Sequence, residues 1–186
     1  MAFFCQGRSS IIIAMATVLF MQDLIASFSL PDGWREFEVP DQGFTQATVR
    51  EFRPAESVND AVSMCVYNRG LAMDDGSASC FRSLITAPSH HLTPAEIGQQ
   101  EELLKEAADS DRFSMLDART EEINGRKALV IEGRWIKSQT DMIRIYLDIR
   151  GDGRFVQELF FSAPRADYES HIRQMRACFK SIKWKS

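Results

Sequence analysis

The sequence lacks any concentrated run of basic residues. Its 22 lysines and arginines are interspersed with 26 aspartates and glutamates, and the formal net charge is −4. Because nucleic acid binding depends on a clustered basic surface, this distribution argues against nucleic acid as a main partner. With 186 residues, 45% of them hydrophobic and 26% charged, the chain has the length and composition of a single globular domain.

Motifs typical of enzymes are also absent. The sequence contains no G-x-S-x-G nucleophile elbow, no Walker phosphate loop and no dinucleotide-binding glycine pattern. His90 and His91 are adjacent, so on an extended chain they point to opposite faces, and joint metal ligation with Asp74 or Asp75 is awkward. His171 has no evident partner for work as a general base. We therefore expect no catalytic residue, no metal site and no cofactor.

No apolar run is long enough to cross a membrane without interruption. The run IIIAMATVLFM follows a segment whose only charge is Arg8, and it has the length of a signal-peptide core. Asp23 ends it, whereas a spanning helix needs about 20 apolar residues. We predict a signal peptide over residues 1–29, cleaved after the small residues of SFS and before Leu30. The mature chain 30–186 is then one domain without a membrane span, periplasmic or secreted; a retained anchor and a cytosolic protein remain alternatives.

Cysteines are few, four in all. In an oxidising compartment a pair can form a disulfide. AVSMCVYN and SASCFRSLI have strand-like patterns and are joined by the turn-rich RGLAMDDGS, which predicts a hairpin with a disulfide between Cys65 and Cys80. Two small buried thiols are the alternative. Cys178 lies beside the apolar stripe of the last predicted helix, so we expect a buried, unreactive thiol.

Strand patterns dominate the second half of the chain. MIRIYLDI alternates strictly between apolar and polar residues, and KALVIEGRWI and RFVQELFFSA alternate in a similar way. Short connections between them predict an antiparallel meander. Asn124-Gly125 suits a type I′ hairpin turn, which predicts a preceding strand over about Phe113 to Glu122. The stretch DIRGDG most simply reverses the chain, because a calcium loop starting at Asp148 would have Leu159 in its twelfth position instead of a glutamate.

Two amphipathic helices flank this meander. Thr93, Pro94 and Glu96 have the spacing of a capping box with proline at the first helical position, which predicts a helix through LTPAEIGQQEELLKEAADSD. A second helix is predicted from about Ala166 to Ile182, where apolar residues recur every three or four positions. Between residues 31 and 54, short apolar runs separated by proline and glycine predict one or two short strands.

A charged sheet face is the candidate binding site. If the three meander strands pair side by side, one face collects polar and aromatic residues opposite the isoleucine stripe. These candidate ligand- or partner-binding residues are Glu132, Arg134, Arg144, Tyr146, Glu158 and Phe160, with Asp148 beside them. Such a face can form a groove for a peptide or a small polar ligand. Cross-strand ion pairs beneath another element are the alternative.

Several local phrases together resemble a known superfamily. LPDGW, LTPAEI, INGRKALVIEGRW, FFSAP and FKSIKW, in this order, resemble the PsbP-like α/β/α sandwich. That group includes photosystem lumenal proteins, DcrB-like periplasmic proteins, a Ran-binding import factor, type VI secretion adaptors and toxin immunity proteins. The resemblance implies an α+β fold, an antiparallel meander covered by helices. It also implies non-catalytic binding of another protein as an assembly factor, adaptor or immunity protein; a small-ligand-binding or hydrolytic periplasmic protein is the alternative.

Overall fold

The structure, a computed structural model, describes residues 16–19, 25–32, 34–39, 44–48, 63–67, 71–100 and 112–185. Eleven strands and three helices lie in these ranges. The strands are β1 (Ala16–Leu19), β2 (Ile25–Leu30), β3 (Arg35–Val39), β4 (Phe44–Thr48), β5 (Ser63–Tyr67), β6 (Leu71–Ala72), β7 (Phe113–Ile123), β8 (Arg126–Trp135), β9 (Thr140–Asp148), β10 (Phe155–Pro164) and β11 (Lys183–Trp184). The helices are α1 (Asp75–Thr86), α2 (Pro94–Gln99) and α3 (Arg165–Lys180).

A large antiparallel sheet forms the middle layer. Its strand order is β3-β4-β5-β10-β9-β8-β7, and β6 pairs with the beginning of β10. A small sheet of order β1-β2-β11 packs with α3 over one face. Helix α1 covers the other face with Phe81 and Leu84, and Ile97 of α2 packs beside them. The predicted α+β fold and the predicted meander are therefore confirmed.

The hairpin turns have the predicted chemistry. Asn124 and Gly125 both have positive φ, 47° and 84°, as a type I′ turn requires. After β9, the Asp148 carboxylate accepts three backbone N–H groups, from Arg150 at 3.1 Å, Gly151 at 2.8 Å and Gly153 at 2.9 Å. The carboxylate thus organises the turn, and DIRGDG reverses the chain as predicted.

Helix α1 replaces a predicted strand. Asp74 caps it, because one carboxylate oxygen accepts the backbone N–H groups of Gly76 and Ser77 at 2.8 and 2.9 Å. Cys80 lies in this helix as a free, half-buried thiol, whereas Cys65 lies in β5. The predicted disulfide between Cys65 and Cys80 is therefore wrong, since no hairpin places them opposite each other.

The other two helices lie where the sequence predicts them. Thr93 and Glu96 form the capping box that begins α2, and the part of its predicted extent beyond residue 100 lies outside the described residues up to 111. Helix α3 buries Tyr168, Ile172 and Met175 against the sheet. Cys178 is buried as predicted, and burial raises the pKa of its thiol to about 12.

Five of the six residues of strand β2 lie inside the predicted signal peptide, yet the strand is part of the core. Ile25, Phe28 and Leu30 are almost fully buried in the cluster that includes α3, and the Ser29 N–H donates to Ser181 Oγ at 2.8 Å. Cleavage before Leu30 stays a prediction, but it would remove β1 and five of the six residues of β2. Among the described residues, no helix is long and apolar enough to cross a membrane.

Truncation measures what β2 contributes. Two variants, one starting at Ile25 and one at Leu30, differ by five residues. We expect the shorter one to unfold at much lower urea concentration or not to fold, because losing the buried Ile25 and Phe28 side chains costs about 2–5 kcal/mol each against a typical stability of about 5–15 kcal/mol. Equal urea midpoints for the two variants would show that β2 is dispensable.

Candidate protein-binding surface

The register of β8 and β9 divides the predicted site residues between two faces. Glu132 pairs with Ile143 and Arg134 with Asp141, on the face covered by α3. Arg144 pairs with Ile131, on the face covered by α1. The prediction of one shared charged face is therefore wrong, because the apolar residues of β8 and β9 that were assigned to one face lie on opposite faces of the sheet.

On the α1 face, the predicted residues have different surroundings. Tyr146 is 1% exposed and packs in one cluster with Phe81 and Leu129, so it is a core residue. Arg144, Glu158 and Phe160 remain together, since β9 and β10 pair Arg144 with Phe160 and Tyr146 with Glu158. Arg144 in turn lies next to Trp135, which comes from the end of β8.

We call Trp135, Arg144, Glu158 and Phe160, together with Ile136, which follows Trp135 in the chain, the Trp135 patch. The Arg144 guanidinium lies 5.9 Å from the centre of the Trp135 ring, and its Nε is 3.5 Å from Glu158 Oε1. The Trp135 indole N–H donates to Met142 Sδ at 2.9 Å. These contacts hold a half-buried tryptophan and a half-buried arginine side by side.

A glycine shapes the base of this patch. A Cβ atom on Gly133 would lie 2.1 Å from Cζ of Phe113, so only glycine leaves room for that ring. The Phe113 ring packs edge-on against Trp135 with centroids 5.1 Å apart. The tryptophan is therefore fixed from below by a buried ring and from the side by the sulfur of Met142.

Exposed apolar side chains lie near the same end of the β7–β8 hairpin. Leu116 and Ile136 are 61% and 39% exposed, the two large hydrophobic residues that are exposed in the described part of the chain. Leu116 is the extra residue of a β-bulge in β7. Aromatic residues and arginine dominate the binding energy at protein interfaces, and apolar surface forms the core of such interfaces.

On the α3 face, charged residues form a closed network. Arg119 donates to Asp117 at 2.5 Å, to Glu121 at 3.0 Å and to Glu132 at 2.7 Å. Arg176 of α3 donates to the same Glu132 oxygen at 2.6 Å. The network ties β7 and β8 to α3.

The surroundings keep these groups charged. Burial disfavours ionisation of Asp117, but hydrogen bonds from Arg119 and His91 outweigh it and hold the pKa of this carboxyl below its usual value. Burial likewise opposes the charge of Arg119, and its carboxylate partners raise its pKa in spite of that. Arg134 is paired in the same way with Asp141, with a second contact at 2.8 Å. Glu132 and Arg134 thus form ion pairs beneath or beside α3, as the alternative interpretation of the charged residues predicted.

The three histidines do not converge. His90 Nε2 contacts Glu96 at 2.9 Å, and His91 Nδ1 contacts Asp117 at 2.8 Å. His171 lies edge-on to Trp34 with ring centroids 6.3 Å apart. No three histidine, cysteine, aspartate or glutamate side chains are grouped to hold a metal within the described ranges.

Comparison with known proteins identifies the fold. No protein-family model matches the sequence, and no curated protein is significantly similar to it. The solution structure of cyanobacterial PsbP (CyanoP) from Synechocystis sp. PCC 6803 superimposes with a TM-score of 0.52 at 12% identity, covering 98% of both chains. The chain has the PsbP-like fold. The resemblance in the sequence is confirmed at this level.

Two further solved structures are similar. LpqN, involved in cell envelope biogenesis of Mycobacterium tuberculosis, has a TM-score of 0.57 at 14% identity, over 94% of this chain and 92% of LpqN. The Saccharomyces cerevisiae Ran-binding protein Mog1p has a TM-score of 0.52 at 10% identity, over 92% of this chain and 95% of Mog1p. At such identities the likeness establishes the fold alone.

The charged network gives a stability prediction. Glu132→Gln keeps the shape of the side chain but leaves Arg119 and Arg176 without their shared anion. We expect the free energy of unfolding to fall by about 1.5–3 kcal/mol, measured by urea denaturation at pH 7. Glu122→Gln, an exposed position on β7, is the matched control and should stay within about 0.5 kcal/mol of the unchanged protein. Equal effects at the two positions would contradict a structural role for the network.

Proposed function

We propose that this chain is a non-catalytic protein-binding domain that is exported to the bacterial envelope and acts as an assembly factor, adaptor or immunity-type protein. Its partner-binding surface is the Trp135 patch. The fold supports a binding role, because similar structures include an envelope biogenesis protein and a Ran-binding protein. Fold likeness alone does not select a partner, and the specific binding surface comes from the Trp135 patch.

The composition of the patch is the observation that carries the proposal. Trp135 and Arg144 are pre-positioned by Phe113, Met142 and Glu158, so little side-chain freedom is lost when a partner covers them. The neighbouring Ile136 adds exposed apolar area. The half-buried Arg144 places a polar group at the margin of the ring, as the rims of protein interfaces do.

Groups with shifted pKa values are distributed in a way that supports binding over catalysis. Hydrogen bonds from Thr93 and His90 lower the pKa of Glu96 to about 2, so the role of Glu96 in capping α2 accounts for its negative charge. Burial raises the pKa of Tyr168 and of Cys178. Tyr168 and Cys178 are buried on α3, and Glu96 lies on α2 with His90 as its partner, so burial and helix capping account for these shifts, whereas an active site gathers its perturbed groups in one cleft.

If the protein is exported, the position of β2 limits where a signal peptide can be cleaved. The core position of Ile25, Phe28 and Leu30 favours a cleavage site before Ile25 over one before Leu30, because only the former leaves β2 in the folded domain. The run IIIAMATVLFM lies upstream of both positions. In this proposal the mature domain therefore begins at or before Ile25.

Site-specific cross-linking tests the proposed surface. A photoreactive benzoylphenylalanine is introduced at Ile136 in the full chain, and the matched control carries it at Arg173, an exposed position of α3. Irradiation in cells should yield one dominant protein adduct at position 136 and none at position 173. The adduct identifies the partner by mass spectrometry.

A substitution then tests affinity for that partner. Ile136→Asp adds a charge at an exposed position, so the fold should persist while affinity falls by about 30-fold, the effect of losing about 2 kcal/mol at a hot spot. Identical adducts at positions 136 and 173, or unchanged affinity of Ile136→Asp, would refute the assignment of the surface.

A further inference from the structure

A short segment covers part of the outer edge of the large sheet. Residues 88–92, which we call the strap, lie against β7, the last strand of that sheet. The Leu92 N–H donates to the Ala118 carbonyl at 2.8 Å, and the Thr120 N–H donates to the His90 carbonyl at 2.9 Å. An uncovered sheet edge offers its backbone groups to other strands, and the strap occupies these groups in the middle of β7.

His90 connects the strap to two neighbouring elements, to β7 through its backbone and to α2 through its ring. Its backbone N–H donates to Thr120 Oγ1 at 3.1 Å. Its ring nitrogens make two further contacts, Nδ1 with the Pro88 carbonyl at 2.7 Å and Nε2 with Glu96 Oε1 at 2.9 Å. The ring therefore links the strap to the first turn of α2.

Each of the two ring contacts needs a proton on its own ring nitrogen. A carbonyl oxygen and an ionised carboxylate only accept hydrogen bonds, so each ring nitrogen must donate. A neutral imidazole has one donor and one acceptor, and it would place a nitrogen lone pair against one of these oxygens. The geometry is satisfied in full only by the doubly protonated, positively charged ring.

We propose that protonation of His90 stabilises the strap: the protonated ring ties residues 88–92 to α2 and so keeps them in place on β7, and loss of the proton frees the β7 edge at Ala118–Thr120. This device is independent of the Trp135 patch.

The charges around the strap agree with this direction. The Pro88 carbonyl and Glu96 of α2 raise the pKa of His90, while burial and the Lys127 ammonium of β8 oppose them more weakly. Glu96, with a pKa of about 2, stays ionised throughout the range in which His90 titrates. On the other side of the strap, His91 faces Asp117, which Arg119 also contacts.

The sign of the pH effect follows from linkage. A histidine whose pKa is higher in the folded state stabilises that state below its ordinary value of about 6.5, and the contribution disappears as the pH rises through the folded value. The strap is therefore held on β7 in mildly acidic solution and is released from it more readily in mildly alkaline solution. Lys127 also donates to the Ala87 carbonyl just before the strap, which keeps its preceding end attached to β8.

Hydrogen exchange of the full chain measures the opening. Protection factors of the Leu92 and Thr120 amides, corrected for intrinsic exchange, are compared at pH 5.5 and 8.5, with the Ile145 amide of β9 as internal reference. We expect protection at Leu92 and Thr120 to fall by about fivefold or more between these pH values while Ile145 changes little. A constant ratio would overturn the proposal.

Variants and ring signals assign the effect to His90. In His90→Gln, protection at Leu92 and Thr120 should be low and independent of pH, whereas the exposed His91→Gln should retain the pH dependence. The reverse pattern would overturn the assignment. If His90→Gln does not fold, ¹⁵N shifts of the His90 ring in the unchanged protein decide: two protonated nitrogens at pH 6 support the proposal, and a neutral tautomer contradicts it.

Discussion

The pairing of β8 with β9 is the constraint on which the rest of the structure depends. With Val130 opposite Ile145 and Leu129 opposite Tyr146, both strands bury side chains on both faces, and two apolar layers can form on one sheet. A shift by one residue would exchange the layers and place Glu132 under α1. In the observed register Glu132 instead meets Arg176 of α3, so the ion pair and the apolar contacts specify the same arrangement.

Local signals in the sequence predicted the turns, the capped helix and the meander, because each depends on neighbouring residues. Asn124-Gly125 and the Thr93–Glu96 box are examples. Which face a residue occupies was not predictable in the same way. Alternation gives two sets of residues in each strand, and only the register between strands decides which sets share a face. For Arg144 and Glu158 the prediction of proximity was correct, since β9 and β10 are joined by a short turn; for Glu132 and Arg134 it failed at the β8–β9 register.

Two elements were missed for different physical reasons. Helix α1 is capped by Asp74, and this capping role is visible in the sequence, but SASCFRSLI is poor in strong helix formers and its helix is supported by burial of Phe81 and Leu84. Strand β2 follows an apolar run, and a hydrophobic strand of the core has the same composition as the end of a leader. Only its contacts with α3 and β11 distinguish the two. The patch was partly missed because no alternation pattern predicts half-burial, which is the state of Trp135.

The geometry of β7 constrains how a partner can approach the domain. The bulge at Leu116 interrupts the strand's regular pairing, and the strap occupies backbone groups of Ala118 and Thr120. While the strap is fastened, an added strand would therefore have only a few residues of regular edge on β7. If a partner binds the Trp135 patch as proposed, side chains such as Trp135 and Arg144 would anchor it, without backbone pairing. The strap contacts β7 at Ala118 and Thr120, whereas the patch lies at the end of β8. Release of the strap from β7 therefore leaves the patch in place.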